Sequence, residues 1–288
     1  MTLPRRPGPS TRVRVHDMVA DADRVHEDRL ATEEPLEIRV TWPGAPARRV
    51  SVTMRTPGHD FELAAGFLAA ERMITGAGDL HTVAYCTDNT LSREEEFNVV
   101  TAELARAPRH DPAERFSGTG AGSACGVCGK QSIDDVLSCG HAADQPLARQ
   151  WDGFTVPWDV AVSLPDRLRE AQRVFARTGG LHAAGLFEAD GTPVVVREDI
   201  GRHNTVDKVV GARLLAGERP GLPLLCVSGR IGFELVQKAV NAGVAVIVAV
   251  GAPSSLAVQL ARTAGLCVVG FARDQRCVVY AEPDRVRR

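Results

Sequence analysis

The chain has 288 residues, 44% hydrophobic but only 5% aromatic, with 34 basic against 36 acidic side chains and a formal net charge of −2. That length suits one large domain or two ordinary ones, with a core built mainly from Ala, Val, Leu and Ile. The near-neutral balance excludes bulk nucleic-acid binding, which needs a basic field, and no apolar run approaches the roughly 20 residues that cross a bilayer.

The N-terminus, Pro4-Arg5-Arg6-Pro7-Gly8-Pro9, has no following apolar stretch, so it reads neither as a signal peptide nor as a twin-arginine signal. Residues 1–30 are expected to be a disordered tail. Next come two alternating strands, 36–42 and 48–55, around the turn Pro43-Gly44-Ala45-Pro46. Gly58-His59-Asp60 then opens a helix reaching about Met73, with Asp60 as its N-cap and Gly76 and Gly78 ending it. Another strand is expected at 97–104, and residues 106–130 read as a long loop. A helix over 165–178 is stopped by Gly179-Gly180, and a hairpin joins 182–188 to 193–197. The remainder alternates: helix 204–216, strand 224–228, helix 231–241, strand 244–250, helix 254–264, strand 266–271. The stretch 244–250 is continuously apolar, the signature of a parallel strand buried on both faces. The expected organisation is a tail over 1–30, a smaller β-rich α+β domain over 31–145, and an α/β cofactor-binding domain over 146–288.

In open parallel sheets, ligands bind beyond the carboxyl ends of the strands. Three such ends are readable: Ser228-Gly229-Arg230, Gly251-Ala252-Pro253-Ser254-Ser255, and Phe271-Ala272-Arg273-Asp274-Gln275-Arg276. Helix N-terminal amides with Arg230 suit an anion, and two arginines flanking Asp274 and Gln275 suit a ligand with phosphates and a purine-like edge. Plain helix capping and a solvated surface are the competing readings. Residues 197–208 pack polar groups densely, placing Arg202 and His203 where a helix start would meet a ligand.

The most distinctive segment is glycine-rich and carries Cys125-Gly126-Val127-Cys128. Glycine loses the most freedom on ordering, so a mobile loop is expected, a poor staple and a suitable carrier. Disulfide exchange, zinc ligation and persulfide chemistry all suit two nearby thiols. Zinc would use Cys125, Cys128, Cys139 and His141, although the pair sits behind glycines rather than in a tight knuckle. A deaminase needs Glu two residues after its His, where Leu181-His182-Ala183-Ala184 has Ala. A thioredoxin-like pair should open a helix after a strand. The persulfide reading fits best, with Lys130 favouring a thiolate. The other cysteines, Cys226, Cys267 and Cys277, read as structural; seven cysteines without a secretory signal point to a reducing, cytoplasmic setting.

Four motifs occur in order: Ser123-Ala124-Cys125-Gly126-Val127-Cys128-Gly129-Lys130, Thr178-Gly179-Gly180-Leu181-His182-Ala183-Ala184, Glu198-Asp199-Ile200-Gly201-Arg202-His203-Asn204-Thr205-Val206-Asp207-Lys208, and Ser228-Gly229-Arg230-Ile231-Gly232-Phe233-Glu234. Together they resemble the FdhD family of formate dehydrogenase accessory proteins, over about residues 30–285. The resemblance implies a sulfurtransferase-type sulfur carrier. A cysteine desulfurase would pass sulfur to Cys125 as a persulfide, with Cys128 assisting. The sulfur would then go to the molybdenum cofactor, Mo-bis(molybdopterin guanine dinucleotide), as bound substrate before it enters formate dehydrogenase. It further implies a cytidine-deaminase-like three-layer α/β domain and a homodimer. Phe271, Ala272, Arg273, Asp274, Gln275 and Arg276, with Ser228, Arg230 and His203, would line the guanine dinucleotide, for which a guanine nucleotide is a partial mimic; no tightly bound metal is expected. The alternative is a zinc-stabilised nucleotide-binding regulatory protein.

Overall fold

The computed structural model describes residues 6–86, 96–109 and 150–288. The N-terminal part contains β1 (Ser10–Val19), β2 (Ala22–Ala31), β3 (Glu34–Trp42), β4 (Ala45–Arg55), α1 (Asp60–Ala70), β5 (Leu80–Tyr85) and β6 (Val99–Leu104). After residue 150 come β7 (Val156–Pro157), α2 (Trp158–Ala171), α3 (Phe175–Thr178), β8 (His182–Phe187), β9 (Pro193–Asp199) and α4 (Arg202–Leu215). Then follow β10 (Leu224–Val227), α5 (Phe233–Ala242), β11 (Val246–Ala249), α6 (Ser255–Ala264), β12 (Cys267–Arg273), β13 (Arg276–Ala281) and β14 (Val286–Arg287).

The large sheet has six strands in the order β13-β12-β11-β10-β8-β9. The central β10, β11 and β12 are parallel, while β8, β9 and β13 run antiparallel to their neighbours. Side chains on successive residues point to opposite faces. Leu225, Val227, Ile247 and Val268 therefore pack with α4, α5 and α6, whereas Leu224, Cys226, Val246 and Val248 pack with Leu164 and Leu168 of α2. The fold is mixed α/β, with helices on both faces of this sheet.

The smaller sheet, β4-β3-β6-β5, pairs β3 with β6 in parallel. Its apolar face (Leu36, Ile38, Val40, Val100, Ala102) joins α1 and the larger sheet in one continuous core cluster. Described residues on both sides of the expected boundary between 145 and 146 thus share a core. The crossing of α1 and α4 is the closest approach: a Cβ on Gly66 would lie 1.8 Å from the Asp207 carbonyl oxygen, and one on Gly211 1.8 Å from that of Glu62.

Several expectations are corrected. Residues 10–31 are a hairpin, not an unstructured tail, with unbroken register from Ser10↔Ala31 to Val19↔Ala22. Its polarity disguised it: most of its side chains are exposed, and it is held by cross-strand partners such as Arg12–Glu27 and His16–Asp23 and by half-buried Val13 and Val15. Asp60 does not cap α1; His59 holds the left-handed cap position, while Asp60 is buried and accepts hydrogen bonds from Arg55, Gly58 and Tyr85. The helix ends at Ala70, before Gly76, through a left-handed Arg72. The expected 165–178 helix divides into α2, which begins at Trp158 and contains Pro165, and the short α3. Strand β12 continues to Arg273 and turns into β13.

Candidate functional site

Three strand ends meet at the carboxyl edge of the parallel strands. Ser228-Gly229-Arg230 follows β10, Gly251-Ala252 follows β11, and Phe271 lies near the end of β12. They are joined by backbone: Ile231 N–H donates to Ala252 O (3.1 Å), Ser254 N–H to Ile231 O (2.9 Å) and Phe271 N–H to Gly251 O (3.2 Å). Glycine permits the convergence, since a Cβ on Gly251 would sit 3.2 Å from the Gly229 carbonyl oxygen and 3.1 Å from Arg230 Cγ. Ser228 Oγ accepts from Ala183 N–H (2.9 Å), fixing this edge to the start of β8.

Because β8 is antiparallel to β10, its first residue, His182, arrives at this same edge; its ring lies 3.5 Å from where a Gly229 Cβ would be. Burial, with the Arg202 and His203 charges close by, pushes the His182 pKa below the ordinary histidine value, against an opposing pull from Asp199. The ring makes no hydrogen bond with any described residue. The first turn of α4 presents Arg202 and His203, and the first turn of α5 presents Glu234. His203 Nε2 lies 2.7 Å from Glu234 Oε2, both side chains 13% exposed. The other oxygen, Glu234 Oε1, is buried without a partner among the described residues.

The motif over 198–208 divides by direction. Buried Asp199 ion-pairs with Lys208 (2.6 Å) and accepts from Thr56 N–H, Gly201 N–H and Asn204 Nδ2–H. Lys208 donates to Thr56 O, and Asn204 to Met54 O. Asp207 faces Lys238 at 2.7 Å. These residues tie α4 to the end of β4 and to α5. Glu198 accepts from Val174 and Phe175 N–H at the start of α3. Arg202 and His203 lie at the edge where Glu234 and His182 arrive, with the buried Asp199, the cross-strand partner of His182, close enough to act on its ring.

Of the residues expected from sequence, Ser228, Arg230, His203 and Phe271 gather here. Phe271 has φ 51°, at a bulge in the β12–β13 pairing. Ala272 is fully buried on the α2 side, so its side chain faces no ligand. Arg273, Asp274, Gln275 and Arg276 form the exposed tip of the hairpin, with Asp274 (φ 49°) and Gln275 (φ 56°) as its two-residue turn. Cys125 and Cys128 lie outside the described residues, as do Cys139 and His141. Among the described residues no three His, Cys, Asp or Glu side chains gather as a metal site. The sequence reading left out His182 and Glu234 as site residues. Glu234 carried a signal, an acidic residue in the first turn after a strand end; the placement of His182 depends on an antiparallel pairing that periodicity does not show.

Residues 31–287 match the model of the FdhD/NarQ family. The chain belongs to the FdhD/NarQ family. A protein named sulfur carrier protein FdhD from Mycobacterium tuberculosis is 47% identical over 283 residues, spanning 95% of this chain and 97% of that protein. Its namesake from Streptomyces coelicolor is 48% identical over 262 residues, spanning 90% and 89%. The crystal structure of a protein described as a formate dehydrogenase accessory protein, from Desulfotalea psychrophila, aligns with a TM-score of 0.71 at 22% identity, covering 96% of this chain and 99% of that one. No described helix is long and apolar enough to cross a membrane.

Proposed function

We propose that this chain is a cytoplasmic sulfur carrier that takes sulfur from a cysteine desulfurase and hands it to Mo-bis(molybdopterin guanine dinucleotide) before that cofactor enters formate dehydrogenase. The observation that carries the reading is the 47% identity, over 95% of the chain, to a protein named as a sulfur carrier. The Cys125–Cys128 pair supplies the chemistry. The Cys125 thiolate attacks the outer sulfur of the donor's persulfide; an S–S bond forms on Cys125 and the donor thiolate leaves. The Cys128 thiolate then attacks the inner sulfur, forming a Cys125–Cys128 disulfide and releasing hydrosulfide, so the two electrons come from the pair of cysteine thiols that end as the disulfide. A thiol reductant restores the pair.

The sheet edge is the proposed substrate site. Arg202, Arg230 and the imidazoles suit an anionic dinucleotide, with Ser228, His203 and the segment 271–276 around it. The reading includes a homodimer and a cytidine-deaminase-like larger domain; helices on both faces of the six-stranded sheet support the latter.

Intact mass after incubation with a cysteine desulfurase and cysteine tests it. The expected result is a gain of one sulfur, reversed by reductant and absent in Cys125→Ala. No gain, with stoichiometric zinc on the purified protein, would replace this reading with that of a zinc-stabilised nucleotide-binding protein.

A further inference from the structure

The proton chemistry of the sheet edge rests on few groups. Arginine does not give up its proton at working pH, which removes Arg202 and Arg230. Ser228 Oγ is engaged by the Ala183 amide. His203 is engaged by Glu234 at 2.7 Å. That leaves His182, whose ring stands at the mouth of the β10 strand end beside Gly229, without a hydrogen-bond partner among the described residues. An imidazole with both nitrogens uncommitted can take a proton on one and give it from the other.

We propose that His182 is the catalytic acid–base group of sulfur hand-off, moving a proton from the arriving sulfur to the departing oxygen of the substrate. The proposal rests on the sulfur-carrier reading above. Replacing a terminal oxygen on the substrate's metal by sulfur balances as oxo plus hydrosulfide giving sulfido plus hydroxide. The metal–oxygen bond breaks and a metal–sulfur bond forms. Sulfur stays at its hydrosulfide oxidation level throughout. The single proton on sulfur must reach the oxygen, and a neutral imidazole accepts it and passes it on. Arg202 and His203 on α4 and Asp199 on β9 are the charged groups that face His182; burial and the first two push its ring toward the neutral, accepting form, against an opposing pull from Asp199. The His203–Glu234 pair stands next to it.

The test uses the full chain, pre-loaded with sulfur by a cysteine desulfurase and mixed with the molybdenum cofactor. Loading and hand-off are read separately, by intact mass of the protein and by sulfur gained on the re-isolated molybdenum cofactor. In His182→Gln, loading and melting temperature should match wild type, while hand-off slows by about 10²-fold or more, the usual effect of losing an acid–base group. In His182→Gly, added imidazole should restore part of the rate. Hand-off at the wild-type rate in His182→Gln overturns the proposal. Slow hand-off without imidazole rescue and with a lowered melting temperature makes His182 structural and also overturns it. A wild-type protein that takes up no sulfur fails at the loading step, which identifies the sulfur-carrier reading as the one at fault and removes this proposal with it.

Discussion

Gly66→Ala is expected to destabilise the protein, although alanine is ordinarily the better helix former. In an open helix the exchange gains about 1 kcal/mol. Gly66 is not open. Its added Cβ would meet the Asp207 carbonyl oxygen at 1.8 Å, the carbonyl carbon at 2.5 Å and Cα at 2.8 Å, all of them backbone. No side chain can rotate away. Reaching an ordinary contact of 3.4 Å needs a separation of 3.4 − 1.8 = 1.6 Å between α1 and α4. Overpacking of this kind costs about 1–3 kcal/mol, and a backbone clash belongs at the upper end. The net expectation is a loss of about 2 kcal/mol, the difference between the roughly 3 kcal/mol clash and the roughly 1 kcal/mol propensity gain. Urea unfolding measures it, with Gly76→Ala as control, because Gly76 has nothing within 4 Å of its Cβ position and an extended φ of −174°. The double variant Gly66→Ala with Gly211→Ala should cost less than the sum, since the first substitution already parts the helices. A Gly66→Ala protein as stable as wild type would refute the close-crossing argument.

Asp199→Asn should cost about 3–5 kcal/mol in urea unfolding, because it strands Lys208 as a buried charge; adding Lys208→Met should recover part of the loss, and a cost below about 1 kcal/mol would contradict the buried pair. Burial alone would raise the Glu62 carboxyl, but Arg197 and His59 outweigh it and hold the pKa at about 2, below the ordinary 4.5. A depressed folded-state pKa gives stability that is present above pH 4.5 and is lost as pH falls toward 2, so Glu62→Gln should flatten the stability profile across that window. Burial pushes the Cys226 thiol well up and that of Cys267 up to about 12. Both should resist iodoacetamide at pH 8 until urea unfolds the chain, as peptide mass mapping would show; labelling of the native protein at either site would count against their burial. Saturating guanine nucleotide should raise the melting temperature, and Arg276→Ala should reduce that rise; an unchanged melting curve in wild type would remove the nucleotide site.

The parallel half of the fold was legible because each of its elements carries its own signal. The run 244–250 is apolar throughout and surrounds the fully buried β11, and Ser254 caps α6 by accepting from Ala257 N–H. The β1–β2 hairpin was illegible for the opposite reason: it buries little, so its sequence carries almost no apolar alternation to read. Strand β13 was missed because its start, Arg276, sits beside a turn formed by Asp274 and Gln275 rather than the glycine-bearing turn that marks most tight hairpins.

The candidate site was legible one strand end at a time and incomplete as a set. Ser228 and Arg230 are adjacent in sequence to the turn they occupy, so position along the chain located them. His203 could be placed at a helix start, but its neighbour Asp199 looked the same in sequence, a polar residue in a polar motif. What separates them is the direction of the first turn of α4. Asp199 and Lys208 point into the molecule and satisfy each other there, because an unpaired charge in that position would be expensive. Arg202 and His203 point along the edge, where Glu234 from α5 and His182 from β8 arrive. The same polar density therefore has two uses: one half anchors the helix, and the anchored helix holds the other half where the three strand ends open. A variant at Asp199 should then fail in unfolding and in hand-off together, whereas a variant at His182 should fail in hand-off alone.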